Sequence, residues 1–289
     1  MSAARAATRW RILGRVLPLD RPLIAGVLNV TPDSFSDGGR FARADDAIAH
    51  AQAMVAAGAA IIDVGAESTR PGAEPVDAAL EWARLEPVLE GLADLPAAIS
   101  VDTTKLSVAE RAVRAGAHII NDVSGLASEP RLADLAAECG AGLVLMHMRG
   151  TPRTMQNDTR YDDVVAEVVR RLQAARTAAV DAGCDPSQVA VDPGIGFGKS
   201  LDGNLDLIAR LDEVAALGAP VWIGPSRKSF LGTLLNVSAD QRLEGTVAAC
   251  VVAARNGAHV LRVHDVAPVR MALEVARAIE ARSVTVGVG

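Results

Sequence analysis

The chain has 289 residues, 50% of them hydrophobic and 22% charged, with a net charge of −6 and a pI near 5.4. That acidic balance excludes a general nucleic-acid or acidic-membrane surface, so any anionic ligand has to be met by local Arg and Lys. Three scattered cysteines, Cys139, Cys184 and Cys250, read as core residues in a reducing compartment, not as disulfides or metal ligands. The longest uncharged nonpolar run, 214–225, is twelve residues with Pro220 inside it, too short to span a bilayer.

The first nineteen residues carry Arg5, Arg9, Arg11 and Arg15 and no acid, but they lack the apolar stretch of a secretory leader. A loose tail and then a hairpin over 10–19, turning near Gly14, account for them better than a transit peptide. We expect residues 1–22 to form this tail and hairpin, with the hairpin plugging one end of a body over 23–282. A short C-terminal tail is expected over 283–289.

An apolar run over 23–28 reads as a buried strand. It breaks at Asn29, Pro32 excludes helix, Gly38-Gly39 permits positive φ, and no helical period returns before about Asp45. A long loop in that place is either functional or a tether. Phe35 between Asp33 and Asp37 is an odd choice for a tether. Asn29, Asp33 and Asp37 offer hard oxygen ligands, and Thr31 and Ser34 offer hydroxyls, so the loop reads as a lid over a charged substrate.

The remainder repeats one unit. Gly58, Gly116, Gly140, Gly218 and Gly257, and Gly183 with a longer gap, each close an Ala-rich helical stretch and precede a β-branched or Leu-rich run. Glycine is the natural left-handed residue at such a helix end. Helices are predicted over stretches such as 45–57, 77–91 and 106–115. Strands are predicted over 24–28, 61–64, 98–101, 118–120, 143–146, 189–191, 221–223 and 260–263. Eight near-even strand–helix units match a (β/α)8 TIM barrel, with a doubly wound open sheet as the alternative.

Each strand run closes on a polar or special residue: Asn29, Asp63, Asp102, Asn121, His147, Asp192, Ser226 and His264. Any one of these alone is more often a helix cap or turn residue. Together they point to the carboxyl face of a barrel, where active sites of this fold sit. Residues 192–200 end in Gly-Lys-Ser, but a phosphate loop would need glycine at Pro193, and the glycines at 194, 196 and 198 do not fit a dinucleotide fingerprint. That leaves a flexible loop keeping Asp192 at a strand end and swinging Phe197 nearby. Residues 226–229 and 262–265 bring cationic groups to the last two strand ends, and 67–72 form a second stiff, charged loop. His147, with no partner His at ligand spacing, reads as a packed residue and not as a zinc ligand.

These motifs, 26–39, 67–72, 101–105, 121–125, 146–150, 192–199, 226–229 and 262–265, resemble in order and register those of the bacterial dihydropteroate synthase family, over roughly 23–279. The departures are Pro225 before the Ser-Arg-Lys-Ser motif, Ser200 after the lysine, and the N-terminal extension. The resemblance implies a cytoplasmic barrel transferase of folate biosynthesis, homodimeric, with Mg²⁺ as cofactor. It would join 6-hydroxymethyl-7,8-dihydropterin diphosphate to 4-aminobenzoate by a dissociative route, releasing pyrophosphate.

By the same resemblance Asp102, Asn121, Met146, Asp192 and Lys228 would hold the pterin. Asn29, Arg70, Arg262 and His264 would hold the diphosphate, with Asn29 also associated with the metal. Phe35, Thr69, Pro71, Phe197, Lys228 and Ser229 would hold the aminobenzoate. Asp33 and Asp37, with Lys228, Arg262 and His264, are the implied catalytic set. Two rivals share part of this pattern: a pterin-binding methyltransferase barrel, which has no use for Arg262, His264 and the 226–229 motif, and a non-enzymatic paralogue, whose lid loops would decay. No nucleic-acid or membrane partner is expected.

Overall fold

A hairpin opens the described part of the chain. Strands β1 (Arg9–Ile12) and β2 (Arg15–Pro18) pair antiparallel across Gly14, whose φ of +66° makes the turn. The computed structural model describes residues 7–30, 40–69 and 72–285. Eight strands follow: β3 (Leu23–Asn29), β4 (Ile61–Gly65), β5 (Ala98–Asp102), β6 (Ile119–Asp122), β7 (Gly142–Met146), β8 (Val189–Asp192), β9 (Trp222–Ile223) and β10 (Val260–Val263). The predicted strands agree with these to within a residue or two at each end.

Helices α1 (Arg40–Ala56), α2 (Ala78–Gly91), α3 (Leu106–Arg114), α4 (Leu132–Cys139), α5 (Val164–Asp181), α6 (Leu201–Ala209), α7 (Leu211–Ala215), α8 (Ser229–Leu235), α9 (Leu243–Arg255) and α10 (Val266–Thr285) fill the connections. Side-chain caps start several of them. Asp77 accepts from Leu80 N before α2, Asp163 from Val165 N and Ala166 N before α5, and Ser200 from Gly203 N before α6. Helix α1 begins five residues ahead of the expected Asp45, because its first turn contains arginines that carry no apolar period.

The strands run parallel in the order β8-β7-β6-β5-β4-β3-β10-β9. A further parallel bridge, Val191 to Val221, joins the two ends of that order. The sheet is therefore a (β/α)8 barrel and not the open doubly wound alternative, and closure removes the exposed edges such a sheet would carry. Six glycines at the predicted helix ends, from Gly58 to Gly257, have φ between +74° and +108°, as that position requires.

One end of the barrel is plugged by the hairpin. Trp10, Ile12 and Leu19 cluster with the amino-end interior residues Ala25, Ile61, Ala98, Ile119, Val144, Ala190, Trp222 and Val260. Trp10 meets Trp222 edge-on with ring centroids 5.9 Å apart, and its Nε1 donates to Gln188 O at 2.8 Å. That leaves the carboxyl face for the site. All three cysteines are free, and among the described residues no helix is long and apolar enough to cross a membrane.

Candidate active site

The side-chain period of a strand is two, so the interior row of each strand can be followed from the plugged end to the open end. Ala25 leads to Val27 and Asn29, Ile61 to Asp63 and Gly65, and Ala98 to Ser100 and Asp102. Ile119 leads to Asn121, Val144 to Met146, Ala190 to Asp192 and Val260 to Arg262. The register agrees, pairing Asp102 with Gly65 and Asn121, Met146 with Asp192, and Arg262 with Ala25. The barrel lumen therefore changes from apolar at the hairpin to polar at the carboxyl face.

Arg262 organises one side of that polar layer. Its Nε donates to Asp63 Oδ2 at 2.5 Å and its Nη2 to Asp102 Oδ2 at 2.9 Å. Asn121 Nδ2 reaches both oxygens of Asp63, at 3.2 and 3.4 Å. Neither Asp102 nor Asn121 caps a helix; the capping and turn work falls to Asp122, which accepts from Ser124 N and Leu126 N. Burial pushes the Asp102 carboxyl up from its ordinary range, against the pull of Arg262 and with the repulsion of Asp63. Burial works against the charge of Arg262 too, but Asp63 and Asp102 more than offset it and the guanidinium stays protonated. Among the described residues two of its five N–H donors are engaged, by Asp63 and Asp102.

Asp192 and Lys228 lie near enough in the layer for each to act on the other's charge. Asp192 Oδ1 accepts from Gly194 N at 2.7 Å, and burial raises its carboxyl to about 6. The Lys228 ammonium sits 4.0 Å from the centroid of the Phe197 ring, and burial, with Arg262 adding, brings it down to about 8. Phe197 and Met146 pack together with Met155 and Val123. At the end of β10, Ser226 Oγ lies 3.0 Å from His264 Nδ1 and accepts from His264 N at 3.2 Å. A hydroxyl can donate to Nδ1 or accept from it, so the pairing holds the ring's orientation under either tautomer. Burial first, then Arg262 and Arg227, hold His264 down at about 4. His264 is thus neutral near neutral pH, and the cationic group at this strand end is Arg262.

One correction concerns residues 193–199. The loop is tied at nearly every residue: Gly196 N donates to Asn204 Oδ1 at 2.6 Å, Gln156 Nε2 to Gly196 O at 3.1 Å, and Tyr161 Oη to Gly198 O at 2.9 Å. Lys199 Nζ donates to Phe197 O at 2.9 Å. Phe197 is held, not swung, because backbone groups that a free loop would give to water are paired inside the protein.

The loop after β4 is anchored at its start. Lys105 Nζ donates to Glu81 at 2.5 Å and also to Glu67, and Arg84 Nη1 donates to Ala66 O at 2.9 Å. Thr69 follows, half-buried, and Ser229 opens α8 on the surface. Asn29 ends β3 on the interior row, half-buried. Thr31, Asp33, Ser34, Phe35, Asp37, Arg70 and Pro71 lie outside the described residues. Among the described residues no three His, Cys, Asp or Glu side chains are grouped to hold a metal. Mg²⁺ takes only one or two protein oxygens beside phosphate and water, so a lone Asn29 amide oxygen fits an ion that arrives with a diphosphate.

Sequence reasoning left three of these residues out of the site. Asp63 was seen only as a strand end, although an acid two residues after Ile61 inside an apolar run is the signal of an interior polar residue. Lys105 and Lys199 carried no signal beyond their place in a motif, since their partners come from other strand ends.

A closed parallel barrel with carboxylates and buried cations converging at its carboxyl face is a barrel enzyme for a polar, charged substrate. The pterin binding enzyme family matches residues 25–264. Over 269 residues the chain is 48% identical to dihydropteroate synthase of Escherichia coli K12, covering 93% of this chain and 94% of that protein. The Yersinia pestis dihydropteroate synthase, solved as a sulfonamide drug complex, is 44% identical with a TM-score of 0.89, over 94% of this chain and 99% of that one. The Burkholderia cenocepacia enzyme complexed with 7,8-dihydropteroate is 38% identical with a TM-score of 0.87, over 96% and 98%. The chain belongs to the dihydropteroate synthases of the pterin-binding family, which are transferases. The methyltransferase and non-enzymatic readings lapse with that.

Proposed function

We propose that the chain condenses 6-hydroxymethyl-7,8-dihydropterin diphosphate with 4-aminobenzoate, giving 7,8-dihydropteroate and pyrophosphate in folate biosynthesis. The observation that carries this reading is the interior row itself. Asp102, Asn121 and Asp192 stand together at the open end of the lumen, beside Lys228 and Arg262. A carboxylate accepts a pair of N–H groups in parallel, as it does from arginine. Asp192 is assigned to the amino group and ring N–H of the pterin edge, with Asp102 and Asn121 on the remaining ring polar atoms and Met146 against the ring. Lys228 donates to pterin acceptors that carboxylates cannot serve.

The leaving group is a polyanion, so stabilising its developing charge is the main electrostatic demand. Arg262 supplies fixed positive charge, and His264, its ring oriented by Ser226, is assigned to the same anion. Arg70 is assigned to the same group from the sequence. Asn29 is the residue that would hold Mg²⁺, and the ion when bound would neutralise part of the diphosphate charge. The C–O bond to the diphosphate breaks with its electron pair leaving on pyrophosphate. The exocyclic carbon becomes a cation delocalised into the pterin, and the aminobenzoate nitrogen donates its lone pair to that carbon and then sheds a proton. No covalent enzyme intermediate and no strong base are needed. Asp37 and Asp33 are assigned to the cation or the attacking amine.

Phe197, Lys228, Ser229 and Thr69 are assigned to the aminobenzoate wall; Phe35 and Pro71 join them on sequence grounds. Sulfonamides share the outline of 4-aminobenzoate, and the Y. pestis relative is solved with one. The test is chromatographic: purified protein with both substrates and Mg²⁺ should form 7,8-dihydropteroate, and a sulfonamide should inhibit competitively with 4-aminobenzoate. No 7,8-dihydropteroate with both substrates and Mg²⁺ present, or inhibition competitive with the pterin diphosphate instead, contradicts the assignment.

A homodimer is part of the same proposal. Met271, Val275 and Ile279 form an exposed stripe at four-residue spacing on α10, with exposed Val252 on the neighbouring α9. Sedimentation equilibrium reads it directly, and a monomer at assay concentration removes it. The free cysteines support a cytoplasmic location, which cell fractionation tests.

A further inference from the structure

Lys199 is a buried ionisable side chain that the mechanism above does not use. It ends the glycine-rich loop after β8 and is 4% exposed. Among the described residues no acid lies within ion-pair distance of it. Its Nζ instead donates to Phe197 O at 2.9 Å and His147 O at 3.2 Å, and lies 3.1 Å from His147 Nδ1. When protonated the amine has three donors and no acceptor, and the imidazole then accepts at Nδ1.

Burying a charge without a counter-ion is unfavourable. Burial accordingly brings the Lys199 amine down to about 7, with Asp192 opposing and Lys228 and Arg149 adding. Methionine or leucine would fill this space without that penalty. What only the amine supplies is three donors, met here by three acceptors on two different strand-end loops.

We propose that Lys199 is a positioning residue for the aminobenzoate half of the reaction. By clasping the carbonyls of His147 and Phe197, it fastens the loop after β8 to the loop after β7 and sets the Phe197 ring beside Lys228. This rests on the assignment of Phe197 and Lys228 to the aminobenzoate wall. The two loops are shaped for the clasp: a Cβ at Gly194 would lie 2.0 Å from His147 O, and one at Gly198 only 3.1 Å from Met155 O and 3.2 Å from Arg149 O. His147 stays a neutral acceptor, since burial and then Lys199 hold it at about 3. Without the amine, the carbonyls of Phe197 and His147 lose their shared donor, and with it the tie between the two loops at Phe197. The ring it carries is the one that lies 4.0 Å under the Lys228 ammonium.

The test uses Lys199→Met, which removes the donors and roughly keeps the volume, and Lys199→Gln, which keeps an amide donor on a shorter reach. In the full chain, KM for 4-aminobenzoate should rise about tenfold or more in the Met variant, the scale of a misplaced binding wall. The Gln variant should fall between Met and the unsubstituted chain. The pterin Kd by calorimetry and kcat at saturation should each stay within about threefold, because the strand-end contacts are untouched. Equal losses in pterin Kd and aminobenzoate KM would overturn the proposal, as would no change in either. So would failure of both variants to fold, which would make Lys199 a residue of general stability. Product formation by the unsubstituted chain, measured alongside, keeps the outcome for Lys199 separate from the outcome for the reaction.

Discussion

Asp192 has to be ionised to accept two N–H groups, because a protonated carboxyl presents one donor and one acceptor to a pair of donors. In the ligand-free chain burial raises it to about 6. Pterin affinity should therefore be flat above about pH 6 and fall as pH drops through that value, and Asp192→Asn should remove the dependence. The same substitution points a donor at a donor, with an expected loss of about 2–4 kcal/mol in pterin binding by calorimetry. Unchanged affinity in a folded variant would take Asp192 out of the site. For stability the sign is reversed: a raised carboxyl stabilises the fold below its ordinary value of 3.8, and that contribution is lost as pH rises through about 6. Arg262 fails differently. Arg262→Met leaves Asp63 and Asp102 buried without their shared cation, and should destabilise the fold by about 3–5 kcal/mol in denaturant titration at neutral pH as well as abolish turnover. Arg262→Lys should restore little, since a single ammonium cannot reproduce the fork that spans two carboxylates. Full stability in the Met variant would mean the pair contributes nothing to the fold.

Among the elements, the hairpin and the carboxyl ends of β3 and β4 lie at opposite ends of the barrel and have separable effects. Trp10 is completely buried against Trp222 and the amino-end interior row. Trp10→Ala should lower stability by about 3–5 kcal/mol, the usual range for emptying an aromatic site, while leaving the aminobenzoate KM unchanged. A KM effect of the size seen at the open end would mean the plug is coupled to the site. The loops make the converse prediction. Most residues assigned to the pterin and diphosphate lie on strands (Asn29, Asp102, Asn121, Met146, Asp192 and Arg262), whereas Thr69, and by sequence Phe35, Arg70 and Pro71, belong to connections. Aminobenzoate should bind weakly to the free chain and more tightly once pterin, pyrophosphate and Mg²⁺ are present, by about 1–3 kcal/mol. Arg70→Ala should reduce that gain without strongly weakening the bare pterin. Equal aminobenzoate affinity with and without pyrophosphate would mean the second substrate's site is preformed.

At the scale of the whole molecule, the barrel was legible because its period is redundant. Eight apolar runs, six helix-ending glycines and eight polar strand ends all say the same thing, and a barrel brings those ends to one face whatever the loops do. Of the polar strand ends, Asn29, Asp63, Asp102, Asn121 and Asp192 fall on the interior row, whereas on β7 that row holds Met146 and not His147. Partnerships were less legible. That Arg262 spans Asp63 and Asp102, that Lys199 spans two loops, and that burial keeps His264 neutral depend on distances between strands that no spacing along one strand encodes. The central claim is that this face holds a pterin diphosphate and releases its diphosphate to an arylamine. Pyrophosphate release, followed with the pterin diphosphate alone, with 4-aminobenzoate alone and with both, tests it most directly. The account predicts one pyrophosphate per 4-aminobenzoate consumed and little with either substrate alone. Release at the same rate without 4-aminobenzoate, or none with both present, would contradict it.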